Sequence, residues 1–384
     1  MLLPNPPDAF FQTLQKYSYK FVWSSKPDKI SRNTVHKSIK NGGLGLPEVK
    51  TFASSLKLNW FRKALRTNNK WKSIIENLFP ILNYIEKYGP EIITTFKKSN
   101  LFWIEVLEAY KHFYYKVKSK NSSQLLAEPV FYNNRIQIGH HFILGQRWIN
   151  RGVFCIGHFV LENGDLISYE EFKQKFNVRM NVVTFFSLRS AIRQYARTTA
   201  ILMNDNRFLS VHKCFNMLMS TPKGSKMIYD ILIDNNNSPK CCGSWDERLG
   251  IQNDWKCIFM LASKVPDIGL KWFHLKILHR CLGTNVILRQ IGVLASDRCS
   301  FCNITKDSIR HMFWQCTFVQ NFWKELENAI NTKCPTALNY NITELLAITG
   351  YDTNMQTDAI MYFIIILGKQ HIYKCKSERK VPHL

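Results

Sequence analysis

Acidic residues are scarce in this 384-residue chain: 28 Asp and Glu stand against 52 Lys and Arg, leaving a formal charge of +24. No two aspartates are adjacent anywhere, so the paired carboxylates of a two-metal polymerase site are not offered locally. The chain also has no Walker-type glycine loop and no G-x-S-x-G elbow, which removes the common signatures of phosphate cradling and serine hydrolysis. Apolar runs are short. The longest, Ala359 to Leu367, is about half of what a spanning helix needs and reads as a core segment. The opening residues MLLPNPPDAF lack the basic and apolar regions of a secretion signal. The expectation is a soluble protein of the nucleus or cytoplasm, neither secreted nor held by a membrane.

What remains is rich in core-forming residues. Hydrophobic side chains make up 46% of the chain and aromatics 13%, which excludes a disordered tail. The length suits two or three units with cores of their own. The positive excess attracts polyanions, and nucleic acid is the natural partner. It is concentrated at the start, where residues 1–72 hold 14 Lys and Arg but 3 Asp and Glu.

Helical periodicity dominates, and the fold class is mainly α with a small zinc knuckle near the C-terminus. Phe11, Leu14, Tyr17 (or Ser18) and Phe21 predict one amphipathic helix over about 8–22. Pro47 suits the first turn of a second, with Val49, Phe52, Ala53, Leu56 and Trp60 as its apolar stripe. A third spans about Asn100 to Lys118, and Ser168 with Glu171 forms a capping box before a helix at 169–176. Further helices are expected at about 185–195 and in a block over 252–290. The Asn- and Ser-rich stretch ending at Pro239 resists helix and strand alike. The expected division is a basic helical region at 1–120, a mixed and mainly helical one at 121–232, a linker at 233–245 and a helical C-terminal region at 246–384.

Within that last region, Cys299, Cys302, His311 and Cys316 are spaced C-x2-C-x8-H-x4-C. Zn²⁺ takes four such ligands as a tetrahedron, and four protein ligands leave no position for water, so a single structural ion is expected in a module at 299–316. On an ideal α-helix His311 and Cys316 would point about 140° apart. A bend between them and a fresh helix from about Thr317 are therefore required. His279 and Cys281 lie just upstream as substitute ligands, the alternative being that all these groups are core thiols and imidazoles. Cys241-Cys242 is too cramped to chelate as a pair, and the side chains of His140 and His141 diverge. The turn containing Gly42, Gly43 and Gly45 leads into Pro47 and is structural. Phe301 suits the cap of the small zinc core, whereas Trp314 is open to either core packing or base stacking.

Four segments together resemble the part of LINE (non-LTR) retrotransposon polyproteins that follows the reverse-transcriptase palm. Phe21-Val-Trp23 leads to Gly42-Gly-Leu-Gly-Leu-Pro47; Ser99-Asn-Leu-Phe-Trp103 opens an aromatic block; Trp148 to Gly152 precedes Ser168-Tyr-Glu-Glu-Phe172. Leu278-His-Arg280 and Leu282-Gly-Thr-Asn285 precede the cysteine cluster, as in the reverse-transcriptase zinc-binding domain. The resemblance implies a non-catalytic region that grips template RNA and target DNA. It also implies an amino-truncated copy without endonuclease or palm, with an intact polyprotein as a possible partner. Lys57, Arg62, Lys63, Arg66, Lys70 and Lys72, with Trp314, are the expected nucleic-acid contacts. The alternatives are that this basic run is a solvated helix face, and that the chain is an inert or protein-binding remnant.

Overall fold

The computed structural model describes residues 3–66, 72–73, 77, 85–96, 100–117, 122–139, 141–142, 146–178, 181–198, 213–220, 224–233, 238–333, 340–352 and 359–384. Lys70, Ser99, His140 and residues 234–237 of the expected linker lie outside them. The described chain is mainly helical, and its one sheet pairs Gln137–Ile138 with His141–Phe142. Among the described residues no helix is long and apolar enough to cross a membrane.

The chain divides into two compact units, residues 1–15 with 48–233 and residues 16–47 with 234–384. This differs from the four segments read along the sequence, because residues 16–47 leave their neighbours and fold with the C-terminal unit. Gly42 shows why. It sits at φ +76° where an added Cβ would lie 2.6 Å from Pro239 and 2.7 Å from Phe259, so the Gly-rich turn packs directly on the later segment.

The first unit contains the beginning of α1 (Asp8–Trp23) followed by α2 (Val49–Arg66), α3 (Leu101–Lys116), α4 (Tyr169–Phe176), α5 (Val182–Thr198), α6 (Lys213–Ser220) and α7 (Gly224–Leu232). Helix α3 is nearly surrounded, with Trp103, Val106, Leu107, Tyr110, Phe113 and Tyr114 all buried. Asn100 starts it by accepting a hydrogen bond from the Phe102 amide. The capping box forms, Ser168 and Glu171 each accepting from the other's amide, and it lowers Phe172 into the core.

Two apolar stripes face the other way from the sequence expectation. On α1, Phe11, Tyr19 and Trp23 are buried, while Leu14, Tyr17 and Phe21 are exposed. On α2, Phe52, Leu56 and Trp60 are exposed, and the buried face carries Ser55, Leu58, Phe61, Arg62 and Ala64. The helical period is present in both cases. What decides the face is α7, which packs on α2 so closely that a Cβ on Gly224 would fall 2.5 Å from Arg62 Nε and Asn59 Oδ1.

The second unit contains the rest of α1, then α8 (Lys240–Leu249), α9 (Trp255–Lys264), α10 (Ile268–Leu278), α11 (Thr317–Lys333) and α12 (Ala359–Glu378). Residues 240–245 are helix rather than linker, because Cys241, Cys242 and Trp245 bury one face there. The Trp245 indole donates to the Leu278 carbonyl, tying α8 to the end of α10. Helix α12 supplies Met361, Tyr362, Ile365, Ile366 and Ile372 to the same core that holds Cys299, Met312, Phe313 and Cys316.

Candidate metal centre

The centre is built from two turns that converge. The first is closed by an antiparallel bridge between Arg298 and Lys306. Within it the Cys299 amide donates to the Thr305 carbonyl at 2.8 Å, and the Asn303 amide donates back to the Cys299 carbonyl at 3.0 Å. Asn303 takes a left-handed φ of +57°, which asparagine tolerates. The Phe301 amide lies 3.4 Å from Cys299 Sγ, an N–H donor aimed at a would-be ligand sulfur.

The second turn solves the angular problem posed by the His311–Cys316 spacing. Residues His311–Gln315 form a single π turn, in which the Cys316 amide donates to the His311 carbonyl at 3.0 Å. This i→i+5 bond brings two residues five apart back toward one side, as an α turn would not. Cys316 is extended, and α11 starts at Thr317, so the expected bend and fresh helix are both present. Trp323 reaches back to donate its indole N–H to the Phe313 carbonyl at 2.8 Å, holding the turn against the core.

Cys299, Cys302, His311 and Cys316 place their donor atoms within 4.8 Å of one another. Tetrahedral zinc with its usual bond lengths sets sulfur atoms about 3.8 Å apart and sulfur and nitrogen about 3.6 Å apart. Cys299 Sγ and Cys316 Sγ are separated by 3.9 Å, and Cys302 Sγ and His311 Nε2 by 3.5 Å. The donor set and these two separations are consistent with zinc. Without metal the two near sulfurs share a hydrogen bond, in which Cys299 donates; this bond and burial raise the Cys299 pKa, and the same bond lowers that of Cys316. A metal ion would displace that proton.

A second layer orients the ligands. Thr305 Oγ1 stands 3.0 Å from His311 Nδ1 and 3.1 Å from Nε2, and Ser308 Oγ accepts from the His311 amide at 3.1 Å. Asn285 donates from Nδ2 to the Arg298 carbonyl at 2.7 Å and to Ser300 Oγ at 3.0 Å, bracketing Cys299. Its own amide donates to Asp307 Oδ2 at 2.8 Å, and buried Asp307 takes a 2.5 Å ion pair from Lys376 of α12. Asn285, Asp307 and Lys376 had no place among the expected site residues. The one pointer to them was the Leu282-Gly-Thr-Asn285 segment, whose threonine caps the helix Asn285–Gln290 through an acceptor to the Ile287 amide.

The other sequence candidates fall elsewhere. His279 faces Cys241, with Nδ1 3.5 Å from its sulfur, and Cys281 packs beside Tyr19, Trp23 and Ile30, so neither joins the zinc set. Hydrogen bonding from Cys242, against the cost of burial and with help from His279, lowers the Cys241 pKa. Phe301 and Trp314 both pack partly against the core of the unit. Of the expected nucleic-acid contacts, Lys57 is ion-paired to Glu105 and only 11% of its side chain is exposed. Arg62 is buried, and burial lowers its pKa ahead of the nearby Arg66 charge. Lys63 and Arg66 are exposed, and Lys72 is half-buried.

No curated protein matches the chain. Residues 225–323, the stretch that holds all four ligands and the Asn285 and Asp307 supports, match the family model for zinc-binding in reverse transcriptase.

Proposed function

We propose that this chain is a non-catalytic, zinc-containing C-terminal portion of a LINE-type retrotransposon reverse transcriptase that grips template RNA and target DNA. The observation that carries the reading is a coincidence of position. The residues matched by the reverse-transcriptase zinc-binding model contain a Cys3His set whose donor atoms lie within 4.8 Å of one another. The +24 charge supplies the attraction to a polyanion. On this reading the region holds one structural zinc, works where retroelement RNA and chromosomal DNA meet in cytoplasm and nucleus, and has an intact polyprotein as a candidate partner.

Phosphate contact falls to the exposed part of the basic run. Lys63 and Arg66 are exposed and Lys72 is half-buried, whereas Arg62 is buried and the Lys57 side chain is 11% exposed. Three phosphate contacts weaken binding by roughly 20- to 40-fold between about 50 and 200 mM salt. A gel-shift series with RNA and DNA across that range tests the reading, and affinity unchanged by salt defeats it.

One observation favours the second reading, a protein-binding remnant. Tyr17 and Phe21 are exposed on the part of α1 that belongs to the second unit, with Phe21 87% exposed. Self-association without nucleic-acid binding would support that reading over the first.

A further inference from the structure

We propose that the groove beside the zinc cluster binds an unpaired nucleotide of a single-stranded nucleic acid. This rests on the nucleic-acid reading above and specifies where and in what form the strand is held. The groove has a volume of about 650 Å³, within the range of small-ligand sites. Its lining includes Trp314 and the side chains of Thr305, Lys306, Gln315 and Gln320.

Trp314 and Gln315 lie on the π turn, whose two ends are the ligands His311 and Cys316. Gln320 follows on the first turns of α11. The groove is thus framed by backbone that the metal site fixes at both ends. The indole N–H of Trp314 and the side-chain amides of Gln315 and Gln320 hydrogen-bond no other described residue, and all three residues line the same groove. A half-buried indole beside side-chain amide donors and acceptors suits a nucleobase, which stacks through its ring and bonds through its edge.

The charges agree with this choice. The carboxylate in the lining, Glu344, is already held by Arg310 through bonds of 2.5 and 2.8 Å, so it neither repels phosphate nor recruits a cation. Lys306 is 77% exposed and comes no closer than 3.8 Å to Asp297, a carboxylate that Arg289 holds at 3.1 Å. It is placed to meet a phosphate. A second polar recess of about 550 Å³ shares Glu344 and is lined by Gln252, Asn253 and Thr343 among others, with Asp352 accepting from Thr343. Two recesses that share the lining residue Glu344 suit neighbouring nucleotides of a strand better than a free mononucleotide.

The test uses the full zinc-loaded chain and fluorescence anisotropy with labelled 15-nucleotide RNA, single-stranded DNA and a duplex of the same sequence. Single strands are expected to bind more tightly than the duplex. W314A should weaken single-strand binding about tenfold, equivalent to about 1.4 kcal/mol, with duplex affinity and zinc content unchanged. W314F should retain most of the affinity, and Q320A should lose about threefold. RNA carrying 4-thiouridine should crosslink to the peptide containing Trp314. W314A and Q320A binding single strands within twofold of the parent, zinc intact, overturns the groove and leaves the nucleic-acid reading standing. A parent chain that binds neither strand nor duplex overturns both. If W314A loses zinc, the double variant Q315A/Q320A, altered at groove side chains outside the ligand set, decides by the same criterion.

Discussion

Replacing Asn285 by alanine tests how the zinc cluster is held in shape. Its Nδ2 bonds the Arg298 carbonyl at 2.7 Å and Ser300 Oγ at 3.0 Å, one residue to either side of Cys299. Alanine removes both bonds while leaving the backbone contact to Asp307 and the Thr284 cap untouched. Two hydrogen bonds at about 1 kcal/mol each give a loss of about 2 kcal/mol, and the stranded carbonyl raises the upper limit to about 3 kcal/mol. Forming the turn and binding the ion are coupled, so the loss is read as metal affinity. About 2 kcal/mol is roughly a 30-fold weaker zinc dissociation constant, inside the range of about 10- to 100-fold for groups that orient ligands. Competition for zinc against a chromophoric chelator measures it, with helix content monitored in parallel. N285D should fare no better, since a carboxylate has no proton to donate to the Arg298 carbonyl. An N285A affinity within twofold of the parent refutes the claim that this side chain holds the turn.

Three other outcomes are expected. The parent should carry about one zinc per chain and C299S/C302S should lose it; metal analysis decides, and retained zinc would mean other ligands. Lys369 is fully buried, hydrogen-bonded to the Ile348 carbonyl at 3.0 Å and His274 Nδ1 at 3.2 Å, and burial pushes its pKa well down. Between that lowered value and about pH 10.4 the unfolded chain binds more protons than the folded one, so stability rises with pH in that window, by at most about 1.4 kcal/mol per unit. K369M should flatten that slope in chemical unfolding, and parallel curves for parent and variant would defeat the account. G42V should lower stability by about 2–4 kcal/mol, combining a left-handed φ with a clash on Pro239 and Phe259, and its thermal midpoint checks this.

The metal site was legible because ligand chemistry is local. Four residues of the right type at short spacing leave few geometries, and the angular mismatch between His311 and Cys316 announced a distorted turn before its form was known. The groups that hold that turn were not legible, since Asn285 and Lys376 act across long stretches of chain and nothing in their own neighbourhoods marks them. Amphipathic stripes told a similar story. Periodicity revealed α1 and α2 but not which face is buried, because α2 turns a serine and an arginine inward and leaves Phe52, Leu56 and Trp60 outside. Within the basic run, too, periodicity does not reveal that Lys57 is paired with Glu105 and Arg62 lies at the α7 contact. The return of residues 16–47 to the C-terminal unit depends on how Gly42 meets Phe259, a contact between distant segments.

The ion pair between Asp307 and Lys376 makes the last helix a reporter of the metal. Asp307 receives the Asn285 amide on the same oxygen, so one carboxylate joins the turn around Cys299 to α12. Linkage requires the coupling to run both ways: if zinc steadies α12 by some factor, then anything that docks or loosens α12 changes zinc affinity by that factor. Amide exchange along residues 359–378 should therefore slow on metal binding, although the four ligands all lie between residues 299 and 316. A partner that pulled on this helix would tune the metal site without touching a single ligand.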